Sequence, residues 1–355
     1  MNIIKKNNTG PISVYRNIEK PSYSLLKAFL SDRNKFYKEY ILGEKVEKED
    51  SFSVMFGSLV DCIKFSPNEI DNQYVIGTQI PPVGQMLDFV NVLYRRTLAA
   101  SKDGVLQRDI QDLLMDTYLE VTVDKGGNPA KFKGKSFEKV LELFLATGEA
   151  YYEELRRNTG KTVITLGVMQ RAEETVELLR SNFVTKELFS EREGVDIYEQ
   201  EPIEFEYMGH ELKCLPDHFE VHHKEKLIKL YDLKCSYEVE DFAFNYLKFR
   251  YDIQSGMYYV GLEEWKKKHN LGDYIVEPMR FIICDSSGIT NPLIHETSMK
   301  DLNASMNGFS IRGKEYIGIK EGLEELKWAI DTDTWNISKR AYDKKGIMEL
   351  NLKYD

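Results

Sequence analysis

The sequence lacks several features that would each indicate a particular class of protein. It has no apolar run of the roughly 20 residues that a membrane-spanning helix needs, and residues 1–6 lack the apolar core of a signal peptide. Neither a zinc ribbon nor a disulfide framework is expected, because no CxxC spacing occurs among Cys62, Cys214, Cys235 and Cys284. We therefore expect a cytoplasmic chain with reduced thiols and no membrane partner.

Positive charge is also scarce. The 355 residues contain 58 Asp and Glu against 48 Lys and Arg, so the formal net charge is −10. A general binder of polyanions normally carries an excess of basic residues. The whole-chain charge therefore argues against nonspecific coating of nucleic acid, and any contact with a polyanion would depend on a local feature. The hydrophobic content of 42% is that of a folded globular protein.

Hydrophobic periodicity predicts helices in the first half of the chain and strands after it. Apolar residues at helical spacing predict helices over residues 22–40, 56–66, 85–101, 109–119, 137–157 and 165–189. The Gly-Gly-Asn-Pro sequence predicts a loop at residues 126–129. A period of two then predicts strands over residues 196–207, 211–221 and 226–235. The last predicted elements are a helix over 239–268, a strand over 279–284 and a helix over 319–329.

This order of elements predicts one α/β or α+β core with helical additions. The length alone favours about two domains. We divide the chain into a mainly helical N-terminal part over residues 1–190, a sheet and its following helix over residues 191–300, and a C-terminal helix and tail over residues 301–355.

The strand predicted over residues 226–235 carries two charged residues on an apolar face. Side chains alternate across a strand, so Asp232 and Lys234 share the face of Ile228 and Leu230. A hairpin-like connection would bring Asp217, from the preceding strand, alongside Asp232. Two facing carboxylates repel, and a divalent cation would relieve that repulsion; oxygen ligands of this kind suit Mg²⁺ or Mn²⁺ rather than zinc. The alternative is an ordinary ion pair at an exposed strand end.

Pro216-Asp217, fourteen intervening residues and Asp232-Leu233-Lys234 together resemble the motif of the PD-(D/E)xK nuclease superfamily. In the helix that follows, Gln254 stands four residues before Tyr258, which resembles the QxxxY helix of the RecB-like and RecE-like exonuclease branch. Upstream, residues 57–61 resemble that branch's G-x-x-x-H motif, with Asp61 where the family usually has His. The resemblance implies a restriction-endonuclease-like core, in which helices flank a mixed central sheet, with helical N-terminal and inserted segments.

The resemblance also implies which residues form the site. The metal ligands would be Asp61, Asp217, Asp232 and the Leu233 carbonyl, holding Mg²⁺ or Mn²⁺. The catalytic set would be Asp217, Asp232, Lys234, Gln254 and Tyr258, in which Lys234 would position the attacking water and Gln254 would orient the site. No iron–sulfur cluster is expected, because the cysteines do not match the spacing of cluster-binding members of the superfamily, and no nucleotide cofactor is expected.

The implied activity is metal-dependent hydrolysis of DNA by an exonuclease that resects duplex ends in phage-type recombination or repair. Such enzymes usually act with a single-strand annealing protein and often form homo-oligomers, and this one would work in a bacterial or phage-infected cell. Two alternatives stay open. One is a structure-selective or restriction-like endonuclease on the same core. The other is a catalytically silent DNA-binding or assembly module. In that case Asp61, in place of His, would be an early sign that the active site is decaying.

Two further clusters carry weaker signals. Lys131, Lys133 and Lys135 follow the predicted glycine loop and are the first candidates for DNA contacts, with a solvated surface as the alternative. A zinc site is the less favoured reading of a second cluster, because the spacing is irregular among Cys214, His218, His222 and His223.

Overall fold

The structure is a computed structural model that describes residues 15, 18, 20–44, 52–123 and 130–348. The loop predicted at residues 126–129 lies outside these ranges. In the part of the chain that the structure describes, no helix is both long enough and apolar enough to cross a membrane.

Helices dominate the first half of the described chain, where the strands are short, and the strands of the central sheet begin at Val195. The α-helices are α1 Tyr23–Ser31, α2 Arg33–Phe36, α3 Phe52–Phe65, α4 Ile70–Gln73, α5 Gln85–Ala99, α6 Ile110–Thr122, α7 Phe137–Thr147, α8 Glu149–Arg157, α9 Leu166–Ser181, α10 Phe242–Lys248, α11 Tyr251–Lys268, α12 Met299–Asn307, α13 Ile319–Thr332 and α14 Lys339–Asp343. The strands are β1 Tyr74–Ile76, β2 Ser101–Lys102, β3 Val105–Leu106, β4 Thr162–Ile164, β5 Val195–Glu199, β6 Ile203–Tyr207, β7 His210–Cys214, β8 His218–His222, β9 Leu227–Ser236, β10 Ile275–Val276, β11 Arg280–Asp285, β12 Leu293–Glu296, β13 Phe309–Ile311 and β14 Lys314–Tyr316.

The chain groups into two compact units. One unit combines residues 1–67 with residues 172–355, and the other spans residues 68–171. The first unit therefore unites α3 with strands that lie more than a hundred residues later in the sequence. The division predicted at residues 190 and 300 stays a prediction.

The first unit is built around a mixed sheet in the order β12-β11-β9-β8-β5, with β10 also pairing with β9. The strands β5, β8 and β9 are antiparallel neighbours, whereas β9 and β11 are parallel. Parallel neighbours need a crossover connection, which α10 and α11 supply here. The predicted fold class, a mixed central sheet flanked by helices, is confirmed.

Five predicted elements are interrupted. The helix predicted over 22–40 is broken at Asp32, whose backbone is extended, and the strand predicted over 196–207 divides into β5 and β6. The strand predicted over 211–221 divides into β7 and β8 on either side of Pro216, which has no N–H for a ladder. The helix predicted over 239–268 divides at Arg250, whose φ of 54° is left-handed. The helix predicted over 137–157 divides at Gly148, where a Cβ would lie 3.0 Å from the Phe144 and Val90 side chains.

Helices cover both faces of the sheet. On one face, the fully buried sheet residues Phe219, Leu230 and Phe281 pack in one core with Ile253 and Met257 of α11. On the other face, α3 packs closely, since a Cβ on Gly57 would lie 3.8 Å from the Cβ of Cys235 in β9. The strand β9 is therefore enclosed between α11 and α3.

The second unit has a core of its own. The side chains of Phe89, Leu93 and Val140 are fully buried and belong to one cluster. Its short strands β1 and β4 are parallel. The buried carboxylate of Glu154 accepts hydrogen bonds from the backbone N–H groups of Thr78 and Gln79, at 2.7 and 3.0 Å.

One close backbone approach joins the β13–β14 hairpin to the start of α13. A Cβ on Gly318 would lie 2.3 Å from the amide nitrogen of Gly308 and 2.8 Å from the carbonyl oxygen of Met306. The neighbouring Ile317 carbonyl accepts a hydrogen bond from Arg250 at 2.6 Å, so this approach also fixes the start of α11.

We expect Gly318→Ala to lower the free energy of unfolding by about 2 kcal/mol, because backbone atoms must move to admit the methyl group. Urea denaturation followed by circular dichroism measures the change. The control is Gly272→Ala, where a Cβ meets no atom within 4 Å and the expected change is below about 0.5 kcal/mol. Equal effects of the two substitutions would contradict the close approach.

Candidate active site

Two adjacent strands place a pair of carboxylates opposite each other. In the antiparallel register, His218 of β8 pairs with Tyr231 of β9, so Asp217 lies opposite Asp232 one step further along. The Leu233 N–H donates a hydrogen bond to Asp217 Oδ2 at 2.9 Å. Only 1% of the Asp232 surface is exposed. These carboxyl groups lie at the end of the apolar face that packs against α11.

Two cationic or polar groups contact the Asp232 carboxylate. The Lys234 ammonium forms an ion pair with Oδ2, and the Gln254 side-chain amide donates a hydrogen bond to Oδ1. Gln254 is buried on α11, so the helix that follows β9 reaches back to the strand's charged end. Burial alone would lower the pKa of Lys234, but Asp232 and Asp217 raise it well above its usual range, so the ammonium stays charged.

A third carboxylate comes from α3. Burial raises the pKa of Asp61 to about 7, with Lys234 opposing the rise and Asp232 adding to it. Burial likewise raises the pKa of Asp217 well above its usual range, and the carboxylates of Asp232 and Asp61 raise it further. The three acids therefore repel one another in a poorly hydrated place with one ammonium between them.

Tyrosines enclose this charged group. Tyr258 is buried, and its ring meets that of Tyr23 edge-on at 5.6 Å between centroids. Tyr251 lies under Lys234, with the ammonium 5.2 Å from the ring centroid. Neither Tyr23 nor Tyr251 is among the site residues predicted from the sequence. A signal was present for the second, since Tyr251, Gln254 and Tyr258 share one face of a helix at spacings of three and four.

The donors present fit a hard divalent cation. They are carboxylates and a backbone carbonyl, the ligand types that Mg²⁺ prefers. Gln254 Oε1 is a buried oxygen that accepts no hydrogen bond from the described residues. Within those residues no three His, Cys, Asp or Glu side chains are gathered tightly enough to hold an ion. The Lys234 ammonium instead contacts Asp232, where its positive charge partly offsets the negative charge of the carboxylates.

The three lysines that the sequence predicts to contact DNA belong to the second unit. Lys131 forms an ion pair with Asp88 at 2.7 Å, and Lys133 and Lys135 are exposed; the contact of all three with DNA stays a prediction.

The histidines named as a weak zinc candidate serve a buried polar network. His218 and His222 contact Glu220 at 3.4 and 2.8 Å, and Arg192 forms an ion pair with the same carboxylate. His223 instead contacts Asp196 at 2.8 Å and Tyr274 at 2.9 Å. Each of the three imidazoles therefore has at least one polar partner within the protein.

Comparisons with known proteins add a distant structural likeness. No family model and no curated protein matches the sequence. Among solved structures, the chain is similar to the crystal structure of a "Putative exonuclease" from Eubacterium rectale, with a TM-score of 0.42 and 12% identity, covering 97% of this chain and 89% of that chain. Similarity at this level does not define an activity for the chain.

The raised pKa of Asp61 predicts a stability effect with a definite sign. The folded state holds the Asp61 proton up to a pH of about 7, whereas the ordinary pKa of an aspartic acid side chain, as in the unfolded chain, is 3.8. Stability is therefore lost as the pH rises between these values. We expect Asp61→Asn to raise the free energy of unfolding by about 2 kcal/mol at pH 8 and to change it little at pH 4. The rise in the Asp61 pKa corresponds to about 4 kcal/mol. The attraction to Lys234 that is lost with the carboxylate offsets part of this gain.

Urea denaturation without divalent cations, at pH 4 and pH 8, measures this difference. The control is Glu142→Gln on the exposed face of α7, which should leave the free energy of unfolding unchanged at both pH values. An Asp61→Asn effect that is the same at pH 4 and pH 8 would contradict a raised pKa for this half-buried carboxyl.

Proposed function

We propose that the protein is a Mg²⁺-dependent deoxyribonuclease, with Mn²⁺ as an alternative ion, that hydrolyses phosphodiester bonds from DNA ends. The observation that carries the proposal is the convergence of Asp61, Asp217, Asp232, Lys234 and Gln254 at one end of β9. Carboxylates are side chains that hold a cation, and an ammonium and an amide beside them can stabilise a phosphate during hydrolysis.

The ion's own ligands would be Asp61, Asp217, Asp232 and the Leu233 carbonyl. When bound, Mg²⁺ supplies polarisation of a phosphate oxygen and a lowered pKa for a water molecule. The remaining roles are performed by the protein's own residues. The Leu233 N–H holds Asp217 in place through a 2.9 Å hydrogen bond.

Lys234 is the group best placed to meet the phosphate. Its ammonium lies beside Asp232 and 3.3 Å from the Leu233 carbonyl oxygen. There it would hold the attacking water and stabilise the negative charge that develops on the phosphate oxygens. Gln254 keeps the Asp232 carboxylate from rotating, since it donates to the oxygen that Lys234 does not contact. Tyr258 supports this arrangement from the core side.

Action from DNA ends is supported by the Gln254 and Tyr258 helix, which resembles that of the RecB-like and RecE-like exonucleases. The proposal extends to resection of duplex ends in phage-type recombination or repair, together with a single-strand annealing protein, by a homo-oligomer in the cytoplasm of a bacterial or phage-infected cell. These roles rest on the same resemblance.

A direct nuclease assay tests the proposal. The purified chain is incubated with end-labelled linear duplex DNA and with covalently closed circular DNA, in Mg²⁺, in Mn²⁺ and in a chelator. We expect degradation of the linear substrate alone, only with the metal. Asp232→Asn and Lys234→Ala should each reduce the rate by about 100-fold or more. The first removes a ligand of the ion, and the second removes the ammonium that stabilises negative charge at the reacting phosphate.

The matched control is Lys224→Ala, an exposed lysine in the turn between β8 and β9, which should leave the rate unchanged. Activity that survives both site substitutions would overturn the proposed site. Equal cutting of circular DNA would replace the exonuclease by an endonuclease, and inactivity on every substrate would favour the silent module.

A further inference from the structure

A row of alternating cations and aromatic rings leads away from the proposed active site. The Lys234 ammonium lies 5.2 Å from the Tyr251 ring centroid, and Lys27 of α1 lies 5.8 Å from the same ring and 5.9 Å from the ring of Phe249. Beyond them, Lys248 lies 5.2 Å from the Phe249 ring and 5.8 Å from the ring of Phe244. The lysine–aromatic row comprises Tyr251, Lys27, Phe249, Lys248 and Phe244.

Exposure increases along the row with distance from the site. Tyr251 is half-buried, Phe249 is 38% exposed and Phe244 is 62% exposed. Phe244 lies on α10, and Phe249 directly follows the end of that helix. The left-handed residue Arg250 then turns the chain into α11, so Tyr251 follows Phe249 at a ring distance of 5.8 Å. The backbone thus brings consecutive rings from solvent to the site.

The chemistry of the row matches unpaired nucleotides. Aromatic rings stack with bases of any sequence, and lysines beside them pair with the phosphates between those bases. Within a duplex the base faces are covered by their neighbours, so rings of this kind select a strand whose bases are unstacked.

We infer that the lysine–aromatic row binds a segment of single-stranded DNA that leads into the active site. Bases stack on Phe249 and Phe244, while Lys27 and Lys248 hold the adjoining phosphates and Tyr251 marks the passage to Lys234. The inference rests on the proposed function, because it concerns the strand on which that site acts. It assigns a substrate-holding surface to α1 and α10, outside the metal-binding residues.

Fluorescence anisotropy with a labelled oligo(dT) of twelve nucleotides, in a chelator so that no hydrolysis occurs, tests the row. We expect Phe244→Ala and Phe249→Ala each to weaken binding about ten-fold, as the loss of one stacked base does. Phe244→Trp should bind as tightly as the wild type. Phe183→Ala, which removes a ring that is 77% exposed elsewhere in the first unit, is the matched control and should have no effect.

A second probe separates stacking from charge. An oligomer of the same length without bases should bind weakly and show no response to Phe244→Ala, whereas Lys248→Ala should weaken binding of both oligomers and reduce the salt dependence by about one phosphate contact. The inference is overturned if the wild type does not bind oligo(dT), if both phenylalanine variants bind it as the wild type does, or if they weaken the base-free oligomer equally.

The two proposals fail separately. Suppose the wild type cleaves DNA but the phenylalanine variants bind oligo(dT) as the wild type does. The proposed role of the lysine–aromatic row would then be refuted, and the nuclease proposal would stand. If binding depends on the rings but no metal supports cleavage, the nuclease proposal would be refuted and the single-strand-binding surface would stand.

Discussion

The first unit depends on holding three carboxyl groups close together, one of them buried and two half-buried. Removing a charge from water costs several kcal/mol unless other groups compensate it, and here Asp61, Asp217 and Asp232 share the environment of one ammonium, Lys234. The Leu233 N–H and the Gln254 amide supply further compensation. Desolvation, together with the remaining repulsion, raises the pKa values of Asp61 and Asp217, and a bound cation would relieve that repulsion.

Distant parts of the chain must meet for this to occur. The sheet register sets Asp217 against Asp232, and the crossover from β9 to β11 lays α11 over the same face. Asp61 arrives on α3, which packs on the opposite face. One helical turn beyond it, Lys64 donates to Glu199 of β5 at 2.6 Å, and its ammonium lies 4.4 Å from the Phe189 ring centroid. That contact anchors the end of α3 that carries Asp61.

Much of this arrangement was predictable from local rules, and the rest depends on tertiary packing. Strand alternation predicts that Asp232 and Lys234 share a face, and helical spacing predicts that Gln254 and Tyr258 share another. The break at Arg250 was not predictable, because a left-handed arginine is stabilised by its contacts with Asp252 and the Ile317 carbonyl, the latter 67 residues away. The role of Tyr23 also depends on a neighbour that no periodicity reveals, since its ring meets Tyr258 of a helix more than two hundred residues later.

The central claim is that the three carboxyl groups form a site for a divalent cation, and direct ion binding tests it without any substrate. Mn²⁺ prefers the same oxygen ligands as Mg²⁺, and the paramagnetic resonance signal of the free ion reports how much is bound. The wild type should show saturable binding that Asp217→Asn and Asp232→Asn weaken by about ten-fold or more, while Glu142→Gln binds as the wild type does. Equal binding by all four proteins, or none by the wild type, would contradict the account.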